Sequence, residues 1–76
     1  MSIITAEQYR MARAALKLSV RDVATLASVS TNTLTRLENG EELKPRTLEA
    51  IRNALEKAGV EFTNGDQPGV RMKRSS

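Results

Sequence analysis

Thr31, Asn32, Thr35 and Arg36 are spaced at i, i+1, i+4 and i+5, so on one helix they share a face. An Asn amide sets a donor beside an acceptor and matches the N6/N7 edge of adenine. An Arg guanidinium sets two donors in parallel and matches O6 and N7 of guanine. Thr31 offers a methyl for thymine or a hydroxyl for a phosphate, and Thr35 is a second-rank base contact. This is the chemistry of reading base edges in a major groove, and no bond need be made or broken. The chain has no Cys and no His, which removes thiolate ligands, the commonest zinc ligand and the commonest general base. Ser, Thr, Asp and Glu are plentiful, but none is set in a base-activated nucleophile or a metal cluster. An enzyme is not expected, nor is a metal, a cofactor or a small-molecule ligand.

Such a face must be held by its neighbours. Ser30 can cap a helix running from Thr31 to about Asn39, and Gly40 can stop it by entering the left-handed region that glycine adopts without steric cost. Leu34 and Leu37 then point to the core. Upstream, Ser19 and Asp22 form a capping box that opens a helix at Val20. In that helix Val23, Ala24 and Ala27 make one buried stripe with Leu26 on its flank, while Arg21, Asp22 and Thr25 face outward. Ala27, Ser28 and Val29 make the corner. The stretch 19–40 is thus two short helices about a tight turn.

The run SVRDVATLASVSTNTLTRLENG resembles the helix-turn-helix of the phage repressor and Cro superfamily. Leu18-Ser19, Ala24, Val29-Ser30 and Arg36-Leu37-Glu38-Asn39-Gly40 keep that family's separations. The resemblance extends over roughly Tyr9 to Leu55, and the ending Gly59-Val60-Glu61-Phe62 with Pro68-Gly69-Val70-Arg71 is similar to that of many short bacterial members. It implies an all-α, four-helix, lambda-repressor-like DNA-binding domain with a small C-terminal β-hairpin or strand. It also implies an ion pair between Arg13 and Glu38 that ties the first helix to the end of the reading helix. Lys44-Pro45-Arg46 matches a basic-Pro-Arg sequence that lies along phosphates in the lambdoid repressors, which puts Lys44 at a phosphate and Arg46 at a phosphate or the minor groove. Two positions depart from the family. Val20 stands where a phosphate-touching Gln is common, leaving Arg21 or Ser19 to anchor that phosphate, and Ser28 stands where Gly is usual, at a cost if φ is positive there.

The remaining chain supplies a scaffold. Seventy-six residues permit one domain, 1–76, with one small core. Thr5 and Gln8 form a second capping box, preceded by Ile3 and Ile4, with Ile4 able to staple onto Tyr9. That first helix is expected from Ala6 to about Leu16, burying Tyr9, Ala12 and Leu16 while Arg10 and Lys17 stay wet. After the loop Glu41 to Arg46, Thr47 is the expected cap of a fourth helix, Leu48 to Ala58, with Leu48, Ile51, Ala54, Leu55 and Ala58 as its apolar stripe and Gly59 ending it. Val60 to Thr63 and Val70 to Lys73 alternate with strand period about the turn residues Asn64 to Gly69, giving a hairpin at about 60–73. Ser75 and Ser76 are expected to fray.

The net charge is +3, from 12 Lys and Arg against 9 Asp and Glu, which favours an anionic partner. The excess of cations lies in the first 40 residues, where Arg10, Arg13, Lys17, Arg21 and Arg36 stand against Glu7, Asp22 and Glu38, and in the tail, where Arg71, Lys73 and Arg74 stand against Glu61 and Asp66, while the segment between is balanced. Arg10, Ser19, Arg21, Thr33, Asn39, Lys44 and Arg46 are the expected DNA backbone contacts. No apolar run approaches the ~20 residues of a membrane span, and no leader is visible, so the expected home is the cytoplasm, in association with the nucleoid. The expected function is a transcriptional regulator that binds specific double-stranded DNA, most simply a repressor on a two-fold operator, since so short a chain leaves no room for a sensing domain. A homodimer through the hairpin residues Val60, Phe62, Val70 and Met72, or through the fourth helix, fits such an operator. The alternative is a protein-binding adaptor, such as an antitoxin or an anti-activator target.

Overall fold

The structure, a computed structural model, describes residues 4–63 and 67–73. Ile3, the expected turn residues Asn64, Gly65 and Asp66, and the tail Arg74, Ser75 and Ser76 lie outside the described residues. Four helices, α1 (Ala6–Leu16), α2 (Val20–Ala27), α3 (Thr31–Glu38) and α4 (Pro45–Ala58), precede strands β1 (Val60–Thr63) and β2 (Gly69–Met72). No helix among the described residues is long and apolar enough to cross a membrane.

Local side-chain bonding starts the first three helices. The Thr5 hydroxyl accepts from the Gln8 N–H at 3.1 Å while the Gln8 amide oxygen accepts from the Thr5 N–H at 3.0 Å. Ser19 and Asp22 make the same reciprocal pair, both bonds at 3.0 Å. The bonds from Ser19, the backbone one foremost, hold the Asp22 carboxyl below the usual carboxylate range. At α3, Ser30 accepts from the Thr33 N–H at 3.1 Å. Each cap satisfies donors that the first helical turn leaves without a partner.

The same three helices end alike. Lys17, Ser28 and Gly40 have φ of 56°, 57° and 82°, and the N–H of the residue after each bonds five residues back. Leu18 reaches the Arg13 carbonyl, Val29 reaches Ala24 and Glu41 reaches Arg36, each at 3.0 Å. This doubled-back ending reverses the chain within two residues. Glycine occupies only the third site, so Lys17 and Ser28 hold a left-handed conformation that costs about 1 kcal/mol or more for a residue with a Cβ. The left-handed turn at Ser28 brings Val29 against the core and α3 against α2.

The fourth helix starts earlier than its Thr47 suggests. It begins at Pro45, with Lys44 as an extended cap residue that makes no side-chain capping bond. Proline suits the first helical position because its φ is already near the helical value and its missing N–H would have had no partner there. The Thr47 and Leu48 N–H groups bond to the Lys44 carbonyl at 2.9 and 3.1 Å, so Thr47 lies within the helix and caps nothing.

Ile4, Tyr9 and Ala12 meet Val23, Ala24, Ala27, Leu34, Leu37, Ile51, Ala54 and Leu55 in one core, which Val60 and Phe62 complete. Leu16 and Leu48 are half-buried and Ala58 is exposed, so the ends of the expected stripes are wetter than their periodicity implies. β1 and β2 pair antiparallel within the chain, Val60 opposite Met72 and Phe62 opposite Val70. The expected interface set is therefore divided. Val60 and Phe62 are 0% and 6% exposed against their own helices, Val70 packs on the edge of the core, and Met72 is 53% exposed.

One polar side chain is buried with the core. Gln8 is 1% exposed, and its amide donates to the Thr63 and Gly69 carbonyls at 3.0 and 3.1 Å. Those two residues face each other across the hairpin. A single amide thus caps α1 and clamps both strands to it, which gives a marginal two-stranded ribbon the packing it needs.

Candidate nucleic-acid interface

Leu34 and Leu37 anchor α3 by its inner face, at 0% and 4% exposure. Thr31, Asn32, Thr35 and Arg36 are exposed on its outer face. The far end of α3 is held from α1. Arg13 and Glu38 approach to 3.6 Å with each side chain about 30% exposed, and the Arg10 guanidinium donates to the Glu38 carbonyl. Arg10 is thus engaged at the C-terminal end of α3, where a cation also meets the negative end of the helix dipole. Arg13 stacks over the Tyr9 ring, 5.8 Å from its centre. The Tyr9 hydroxyl, buried beside this pair, has its pKa pushed up to about 12, chiefly by burial and then by the Glu38 carboxylate, with Arg13 opposing.

Several outward side chains already have local partners. The Thr35 hydroxyl donates to the Thr31 carbonyl at 3.1 Å, so toward a ligand it offers a methyl and acceptor lone pairs. Thr33 is half-buried, and its hydroxyl lies 2.9 Å from that of Ser30. Arg36 donates its Nε to Glu41 at 3.0 Å. That contact was missed in the sequence, although its signal is present: a glycine ending at position 40 folds residue 41 back over residue 36. Ser19, Arg21 and Asn39 are exposed, Ser19 at the head of α2 and Asn39 just past α3. Lys44 and Arg46 are also exposed, but they belong to the start of α4, so the structure sets them on a separate element from the α3 face.

Chemically, the α3 face offers one free carboxamide, a guanidinium with its two terminal nitrogens outward of the Glu41 contact, and two threonine methyls. It holds no nucleophile paired with a base. Exposed cations stand on three other elements, Arg10 on α1, Arg21 on α2, and Lys44 and Arg46 at the start of α4. A comparison with curated proteins gives no match. The family model described as a helix-turn-helix domain matches residues 6–62, which takes in all four helices and most of β1. The chain belongs to the helix-turn-helix domain family.

Proposed function

We propose that the protein is a transcriptional regulator that reads specific duplex DNA with α3, a repressor of the phage repressor and Cro type acting in the cytoplasm. The observation that carries this reading is the two-sided character of α3, with Leu34 and Leu37 locked in the core and Thr31, Asn32, Thr35 and Arg36 outward. Asn32 pairs with an adenine and Arg36 with a guanine, while Thr31 meets a thymine methyl or a phosphate and Thr35 presents its methyl. Ser19, Arg21, Thr33, Asn39, Lys44 and Arg46 touch the backbone and fix register, and Arg10 reaches it from beside the end of α3. The Arg13–Glu38 pair keeps α3 at the angle the groove requires. Repression follows by occupancy, since a bound protein excludes polymerase from the same stretch of DNA.

The two-fold operator calls for a homodimer. With Val60 and Phe62 inside the core, the contact falls to Met72, the outer part of Val70 and the free edge of the hairpin. Such an edge pairs readily with a second strand.

The test is to titrate the protein into random duplexes at roughly physiological salt, select the bound fraction and sequence it. A palindrome with half-sites about one helical turn apart supports a dimeric operator reader. Binding at low salt without enrichment overturns the reading and brings the adaptor alternative forward.

A further inference from the structure

The side chain assigned to guanine is bonded to an acid, which a DNA-facing surface should avoid. Arg36 Nε donates to Glu41 Oε1 at 3.0 Å, and the two side chains are 46% and 51% exposed. An ion pair this open to water contributes little to stability. A carboxylate near phosphates also weakens binding to every duplex. The contact therefore needs another reason.

Its geometry supplies one. Glu41 is held by its backbone, since its N–H bonds to the Arg36 carbonyl at 3.0 Å while Gly40, at φ 82°, bonds to Leu37 at 3.0 Å. The carboxylate is thus mounted on the end of α3 itself and takes only the Nε of Arg36. The two terminal nitrogens remain, and these are the parallel donors that match guanine O6 and N7.

We propose that Glu41 is a positioning residue that buttresses Arg36, orienting the guanidinium for guanine before DNA arrives, so that Glu41 sets selectivity at that base pair at the expense of affinity for all DNA. This rests on the reading of Arg36 as a base contact. Orientation in advance removes the rotamer freedom that an unheld Arg would lose on binding.

The test uses the full chain as wild type, Arg36→Ala, Glu41→Ala, Glu41→Gln and Arg36→Ala/Glu41→Ala, titrated by fluorescence anisotropy against the selected duplex and against duplexes with single base pairs changed. The pair at which Arg36→Ala loses selectivity is the one Arg36 reads, and a good bidentate contact discriminates there by roughly 5- to 160-fold. Both Glu41 variants bind every duplex more tightly, an effect that cancels in the ratio of affinities. Glu41→Ala is expected to lower the ratio at that pair about fivefold, whereas Glu41→Gln stays within about twofold, because the amide oxygen still accepts from Nε. In the Arg36→Ala background Glu41→Ala leaves the ratio unchanged. An unchanged ratio in Glu41→Ala overturns the inference. So does a higher ratio, which would mean that Glu41 withholds Arg36 from DNA. If wild type separates no duplexes at all, or Arg36→Ala alters no ratio, the reading of Arg36 itself has failed, and the buttress with it. Melting midpoints of the Glu41 variants that match wild type exclude a folding effect.

Discussion

Replacing Gln8 by Leu keeps the bulk of the side chain and removes its bonding. The variant deprives the Thr63 and Gly69 carbonyls of their donor and the Thr5 N–H of its acceptor, three bonds of 3.0 to 3.1 Å. At about 1 kcal/mol net for each bond, the loss is about 3 kcal/mol, and more if water cannot reach the carbonyls. The more apolar Leu, fully buried, offsets about 1 kcal/mol of this. The expected net cost is about 2 kcal/mol, against a total stability of roughly 4 to 11 kcal/mol for a chain of this length. In a domain of this size it lowers the melting midpoint by roughly 8 to 16 °C. Urea unfolding followed by circular dichroism measures it, with the slope against urea checked for constancy so that a frayed hairpin is not mistaken for global destabilisation. Two further outcomes follow from where Gln8 sits. Hydrogen exchange at the strand amides should rise more than at α3, and affinity for a selected duplex should be unchanged wherever the variant is folded. A cost below about 0.5 kcal/mol, within the range of ordinary surface changes, would refute the reasoning that this amide holds the hairpin to α1.

Lys17→Gly and Ser28→Gly relieve the left-handed strain at φ 56° and 57°, and each is expected to stabilise by about 0.5 to 1 kcal/mol after the greater unfolded-chain entropy of glycine is set against it. Urea midpoints that fall would contradict this. On a selected duplex, Asn32→Ala is expected to cost about 1 to 3 kcal/mol and to relax one position, while Lys44→Ala or Arg46→Ala lowers the slope of affinity against salt by about one each. Affinities measured across a salt series separate the two kinds of residue. Tyr9 is the one tyrosine and there is no Trp, so tyrosinate absorbance reports it directly. Because its folded pKa, about 12, lies above the ordinary tyrosine value of 10.0, the folded state holds the proton more tightly. Its contribution is complete below pH 10 and lost as pH rises toward 12. Tyr9→Phe should remove that part of the alkaline loss of stability, and a titration midpoint near 10 in the folded protein would show the hydroxyl to be solvated.

Much of this molecule is written in short-range chemistry, and that part was legible. Thr5 with Gln8, Ser19 with Asp22, and Ser30 ahead of Thr31 each name a helix start, because a cap is a bond between residues three apart. Gly40 names a helix end for the same reason. The apolar stripes of α1 to α4 follow from period alone, as does the strand alternation of Val60 to Thr63, so four helices and a small hairpin could be expected. Pro45 was the local signal misjudged, since proline both breaks a helix interior and favours a helix start. What needed the tertiary structure was every contact between distant parts of the chain. Gln8 reaches residues 55 and 61 positions away, and nothing near it in sequence says that its amide will find two strand carbonyls. The alternation that put Val60 and Phe62 on one face was right, but only the packing of the hairpin on α1 and α4 decided that this face turns inward and that Met72, across from Val60 on the same face, lies at its exposed margin. Period says which side chains share a side. Burial against other elements determines which side meets water, and so which residues remain free to bind anything.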